Sequence, residues 1–333
     1  MKAIVLRTLA VLVSVSLFVA VVRYAGAGKM GQALLGIAAW LPILALLELS
    51  IIAFNAFALR SLYRAAGADA PSRPFWRAVY LGNTFAVVLP AGRLMTETWK
   101  AVRLSRYVTG PIAAAGAVGC QAAVLLGNAV IAALTLTGVA LRCGMTWPTL
   151  AVALFSVGMI GMGGSVFLLG RARLGRWLGE RMAMVQAHGS AFDDAFLKSS
   201  RALGRAAFFE SCARICQLSQ VALLLYAGGN AQGLIGTLAT YGLLLVGSAL
   251  GDMLPAQLGA TDVMLTMAGS HVGLAAAQAL AMTTCLHGAQ IGGALLGAAV
   301  AFVVPQDADA DRNPDSPAVE NSPAVENSPE RSP

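Results

Sequence analysis

The chain has 333 residues, of which 57% are hydrophobic and only 12% charged, against roughly a quarter charged in soluble domains. That balance excludes an ordinary water-soluble domain, and several apolar stretches reach the ~20 residues a helix needs to cross hydrocarbon. The net charge of +7 is uneven: residues 305–333 carry seven acids and two arginines, leaving 21 basic against 9 acidic residues in the body. Such an excess orients helices and meets anionic lipid headgroups, and does not by itself signal nucleic acid.

In chain order, Lys2 and Arg7 precede an apolar run to Val22, followed by the signal-peptidase-like triplet Ala25-Gly26-Ala27. Arg23 interrupts that arrangement, so residues 1–27 read as a retained signal anchor, with a cleaved signal peptide as the alternative. Full spans are expected at 4–22, 31–59, 111–140, 147–169, 206–228 and 272–304. Between them, residues 78–107 and 234–268 are apolar but broken by Leu-Pro-Ala, at Leu89-Pro90-Ala91 and Leu254-Pro255-Ala256. Each half reads as too short to cross alone, and non-helical backbone at membrane depth needs protein or a wet cavity to satisfy it. We read both as re-entrant helical hairpins; the competing reading is two kinked spans. Residues 305–333 repeat Ser-Pro-Ala-Val-Glu-Asn and form an acidic, Pro/Ser-rich tail too poor in apolar residues to pack.

The expected architecture is therefore all-α and polytopic, about six spans plus two hairpins, over a membrane domain of residues 1–304. Span, span, hairpin, span occurs in 1–140 and again in 147–304. Three spans per half make the second copy inverted, and Thr96-Glu97 and Thr261-Asp262 follow their prolines at identical spacing. Inverted repeats with broken helices are a common build for transporters. With both termini in the cytoplasm, nineteen basic residues fall inside, three outside (Arg23, Lys29, Arg142) and Arg214 within a span. That bias reads as a multi-pass protein of the bacterial inner membrane.

Charges within a bilayer are costly, which makes each a functional candidate. Glu48 lies deep in the second span. Glu210 and Arg214 stand four apart in the order that favours a helical ion pair, with Gln217 on the same face. They read either as a buried structural pair or as part of a site. After Pro90 come Arg93, Glu97, Lys100, Arg103 and Arg106 at helical spacings; Arg93 can pair with Glu97, leaving a basic stripe from Lys100. That stripe suits an anionic or phosphate-bearing headgroup, or else snorkels as an anchor beside Trp99 and Tyr107. On the other hairpin, Asp252, Asp262 and His271 bracket Pro255 and are candidates for a coupling proton or cation, while Asp262 also suits a helix cap.

The histidines His188, His271 and His287 are scattered, Cys212 and Cys216 lack further ligands, and no phosphate-binding glycine loop occurs. The expectation is no enzyme, no metal and no cofactor. A wet centre at the hairpin tips would mark a transporter; a dry one would mark a subunit that docks or regulates a lipid-synthesising enzyme.

Gly82-Asn83-Thr84 through Leu89-Pro90, then Glu97, Lys100, Leu104 and Arg106, resembles the first signature of the flippase-like membrane family, also named after the transmembrane region of lysylphosphatidylglycerol synthase. Leu254-Pro255 to Gly259 and Asp262 resembles the second. The likeness spans most of residues 1–304. Thr96-Glu97 stands for Gly-Glu, Lys100 for Arg, and Asp262 for Glu, and a double glycine is reduced to Gly259. The resemblance implies a stand-alone member without the soluble aminoacyl-transferase domain, moving a lipid or lipid-linked molecule between leaflets. Taken with the charged residues after Pro90, the expected headgroup and translocation path lies on Pro90, Arg93, Glu97, Lys100, Arg103, Pro255 and Gly259.

Overall fold

The computed structural model describes residues 2–89, 92–181, 188–252, 254 and 257–303. Pro90 and Pro255 at the two bends, the Arg93 side chain and the tail lie outside the described residues. Within them the chain is helical, without strands. The helices are α1 (Lys2–Ala25), α2 (Ala27–Ala38), α3 (Leu41–Ala65), α4 (Ser72–Val88), α5 (Gly92–Leu104), α6 (Gly110–Cys143) and α7 (Trp147–Arg171). There follow α8 (Leu174–Gly179), α9 (Gly189–Ser199), α10 (Leu203–Ala227), α11 (Gly233–Gly251), α12 (Ala260–Ala268) and α13 (Ala276–Val303).

Prolines set several starts. Pro42, Pro111 and Pro148 occupy the first turn of α3, α6 and α7, where a missing N–H costs nothing because it has no intrahelical acceptor. Among the described residues, α3, α6, α7, α11 and α13 are long and apolar enough to cross a membrane, and the pair α1–α2, bent by 96°, makes a sixth. Three expectations change here. α10, over the span placed at 206–228, is not among these helices, since Glu210, Arg214 and its other polar residues lower its hydropathy. The span placed at 31–59 is not continuous: the chain turns at Ala39-Trp40 and restarts before Pro42, so α2 belongs with α1 and the span is α3. The bend between α1 and α2 falls at Gly26, whose φ of 85° favours glycine. Nor are all hairpin arms too short to cross, since α11 has 19 residues and sufficient hydropathy.

The hairpins themselves form. The Thr96 hydroxyl on α5 donates 2.7 Å to the Gly82 carbonyl on α4, and α12 returns along α11 so closely that a Cβ on Gly247 would lie 2.9 Å from Thr261 Cα. These are arms folded back on each other, not kinked spans.

The packing repeats when the halves are exchanged. α4 runs antiparallel to α13, with Tyr80 against Gly297 and Thr84 donating 3.1 Å to the Ala294 carbonyl. In the same way α11 runs antiparallel to α6, with Leu238 against Gly138 and Gly242 against Thr135. The central pair is α3 and α10, also antiparallel: Leu44 and Glu48 meet Gln220, and Phe57 meets Phe209. Glycine permits these approaches, because a Cβ at Gly138 would lie 2.6 Å from Leu238 Cβ and one at Gly127 would lie 2.9 Å from Glu210 Cβ.

Within the connection 170–205, α9 is folded back onto the bundle. The buried Asp193 carboxylate on α9 accepts from the backbone N–H groups of Gly175 and Arg176 at 2.8 and 2.9 Å, and Phe196 packs with Ala115 of α6. At the same end, Arg60 and Arg64 bond the Asp69 carboxylate. Partial burial pushes that carboxyl up, but hydrogen bonds and charge from the two arginines outweigh it and hold Asp69 below the usual carboxylate range.

Candidate functional site

A cavity of about 910 Å³ lies at the centre, lined by both hairpins and by α3, α6, α7, α10 and α13. Polar side chains from every one of these elements reach it. Water-filled or ligand-filled space of this kind is what permits broken helices and charges at membrane depth.

From the first hairpin come Asn83, Thr96, Glu97 and Lys100. Lys100 is 5% exposed and its ammonium bonds Glu97 Oε1 at 2.5 Å, while Glu97 Oε2 is buried without a hydrogen-bond partner. Glu97 thus pairs with Lys100, one turn on; Arg93, the partner that sequence spacing suggested, has its side chain outside the described residues. Lys100 leaves the interfacial stripe for the interior. Arg103 points the other way: it is exposed, with its guanidinium 4.8 Å from the Trp99 ring centroid, and does not line the cavity. The expected stripe is therefore divided between an inward lysine and an outward arginine.

From the second hairpin, Asp252 lines the cavity and accepts from Gln257 Nε2 at 2.8 Å. Asp262 is fully buried and sits behind the cavity wall. Its Oδ2 accepts from the Gly259 N–H at 2.8 Å, the capping contact that starts α12, and its carboxylate also meets the Thr283 hydroxyl and His287 Nε2, the latter at 3.2 Å. Thr283 and His287 both line the cavity, so Asp262 reaches it through them. Gly259 is the pivot, with φ 91°, and a Cβ there would lie 2.7 Å from Leu17 Cβ on α1. His271, grouped with these carboxylates by sequence, is exposed against Trp147 and outside the cavity.

The central helices contribute two buried carboxylates, each held by the opposite half. Glu48, on the cavity, accepts from Gln220 Nε2 at 3.3 Å. Glu210, fully buried, accepts from Asn55 at 3.1 Å once that amide is oriented with its nitrogen toward the carboxylate. Arg214 lines the cavity, but its described hydrogen bond goes to Gln217 Oε1 and not to Glu210. The spacing of four put Glu210 and Arg214 on one face, yet Glu210 lies at the α3–α6 contact.

Sequence reasoning missed His287, Thr283, Gln220, Asn55, Asn83 and Asn128 as cavity or carboxylate partners. The signal existed: each is a hydrogen-bonding residue inside an apolar stretch, where polar side chains find partners across helices. The five cysteines are free thiols, and among the described residues no cluster of His, Cys, Asp and Glu has the make-up of a metal site.

Compared with known proteins, the chain matches no family model, no curated relative and no solved structure.

Proposed function

We propose that this protein moves a lipid or lipid-linked molecule with an anionic or phosphate-bearing headgroup between the leaflets of the bacterial inner membrane. The observation that carries the reading is the central cavity, which sets charged and polar side chains among apolar ones and is walled by both broken hairpins at once. On insertion scales a charged side chain at the bilayer centre costs about 3 kcal/mol, and Glu48, Lys100 and Arg214 all line this one space. A protein that only docks an enzyme has no use for them there. The connection 170–205, the longest surface such a subunit would offer, is in part spent on packing against α6. No phosphate-binding glycine loop occurs in the sequence, so the drive assigned here is a proton, a cation or the lipid gradient, with Asp252, Asp262 and Glu48 as the groups closest to it. The excess of basic residues on one side supports cytoplasmic termini.

The test is leaflet-resolved transport. The purified chain is reconstituted in liposomes containing fluorescent phosphatidylglycerol, and the inner-leaflet fraction is followed by quenching with a membrane-impermeant reductant. Accelerated equilibration over protein-free liposomes is the expected result. Rates equal to protein-free liposomes across anionic, zwitterionic and polyprenyl-phosphate probes would defeat the proposal and leave the docking subunit as the better reading.

A further inference from the structure

Arg214 is 4% exposed and lines the central cavity. Its Nη1 donates 2.5 Å to Gln217 Oε1, and the same oxygen accepts from the Tyr241 hydroxyl at 2.9 Å. Gln217 is thereby fixed by two donors, and it fixes one corner of the guanidinium. The opposite edge is open: Nε and Nη2 are both buried without a hydrogen-bond partner. Buried polar groups are nearly always satisfied, and a charged pair of donors is the costliest kind to leave unmet.

The carboxylates nearby do not fill the vacancy. Glu48 accepts from Gln220 and Glu210 from Asn55, while Glu97 bonds Lys100. The Nε–Nη2 edge offers two parallel N–H bonds at the spacing of two oxygens on one carboxylate or phosphate, which a lysine ammonium cannot reproduce. Asn83 Nδ2, a further buried donor without a partner, lines the same cavity. Phe155, Met159 and Leu245 supply apolar wall beside these donors.

We infer that Arg214 seats an oxyanion, a phosphate or carboxylate group, bidentately through its Nε–Nη2 edge at the centre of the protein. This rests on the translocation reading for its setting, but moves the anion seat off the α5 stripe to a residue sequence spacing assigned to an internal ion pair. The anion is either the headgroup of an amphiphile or a free inorganic ion.

The experiment measures equilibrium binding of short-chain phosphatidic acid, matched diacylglycerol and inorganic phosphate to the full chain in neutral detergent. Phosphatidic acid is expected to bind at least tenfold tighter than diacylglycerol, and Arg214→Lys is expected to lose at least tenfold in that affinity with its charge kept. Inorganic phosphate competing at equal concentration keeps the seat and identifies the free ion as its occupant. Should Arg214→Lys fail to fold, the wild-type chain is treated with an arginine-selective dicarbonyl, and phosphatidic acid is expected to protect Arg214 in peptide mapping. Equal binding of phosphatidic acid and diacylglycerol, unchanged affinity in Arg214→Lys, or absence of protection overturns the inference. Phosphatidylglycerol transport in liposomes separates the two ideas. Transport undiminished by Arg214→Lys removes the seat and leaves translocation standing; binding at Arg214 without any transport does the reverse.

Discussion

His287 Nε2 lies 3.2 Å from Asp262 Oδ2, joining α13 to the first turn of α12. The carboxylate is out of reach of the cavity and the imidazole is on its wall, while His287 Nδ1 is buried without a hydrogen-bond partner. The imidazole is thus held on one side by a carboxylate, with its other nitrogen unpaired. His287→Gln keeps a hydrogen-bonding group beside Asp262 but cannot change charge. With the imidazole on the proton path, an imposed pH gradient is expected to accelerate lipid transport in the wild type and to leave transport by His287→Gln at its gradient-free rate. A response to the gradient in that variant equal to wild type would remove His287 from the coupling path.

Asp262→Asn is a different experiment, because Asp262 also accepts from the Gly259 N–H and the Thr283 hydroxyl. Its loss is expected to reduce stability by about 1–3 kcal/mol as well as to stop transport. Chemical unfolding in bicelles checks this, and wild-type stability with transport abolished would show that the carboxylate serves coupling without serving the cap.

Glu97 and Lys100 form a buried pair whose side chains are 14% and 6% exposed. Removing one member strands the other charge, which typically costs about 3–5 kcal/mol. Lys100→Ala and Glu97→Gln are each expected to lower the unfolding midpoint, and the double variant to recover part of the loss. Midpoints equal to wild type in both single variants would mean that water in the cavity already solvates the pair.

The broad architecture was legible in the sequence because hydropathy over ~20 residues reports hydrocarbon thickness directly. Spans near α6, α7 and α13 followed from that alone. The interruption before Pro42 was visible as a proline but was overrun by the apolar residues on either side. The site was legible only as a set of costly charges. Glu48, Asp252 and Arg214 reach the cavity as intramembrane charge predicts, Lys100 joins them from the expected interfacial stripe, and the partners across helices do not follow from spacing. Gln220 meets Glu48 across 172 residues and Asn55 meets Glu210 across the same helix pair. Such pairs are fixed by helix–helix rotation, which local periodicity does not encode. Lys100 turned inward and Arg103 outward for the same reason: three residues apart on a helix lie on neighbouring but distinct faces.

Both hairpins depend on glycine at their contacts. A Cβ on Gly92 would stand 2.1 Å from the Ala86 carbonyl oxygen, and one on Gly259 would stand 2.9 Å from the Ser14 carbonyl oxygen at a φ that strains any other residue. Gly92→Ala must push backbone apart and is expected to open α4 from α5, with a stability loss of at least about 1–3 kcal/mol. Gly259→Ala is expected to free α1 from α12, and Gly110→Ala, with open space around it, to be neutral. Accessibility of Lys100 to amine reagents, compared among the three, reads out hairpin opening; equal protection in Gly92→Ala would contradict the packing argument.

The last prediction concerns orientation. Arg64 ends α3 and Lys198 lies near the end of α9, and both elements pack at the start of α6: Tyr63 meets Gly116, and Ala195 and Phe196 cluster with Ala115. Arg142 stands at the other end of that 34-residue helix, whose rise of 1.5 Å per residue makes it about 50 Å long. One membrane therefore separates Arg142 from the other two, whichever way the protein inserts. The basic residues crowd on the side of Arg64 and Lys198, and the positive-inside tendency predicts that side to be cytoplasmic. On a cysteine-free background, Arg64→Cys and Lys198→Cys are expected to resist an impermeant thiol reagent in intact cells, and Arg142→Cys to label. Labelling of Lys198→Cys with protection of Arg142→Cys would invert the topology. Labelling of all three would mean that α6 does not span the membrane, and the repeat, the cavity's depth and the translocation path would fall with it.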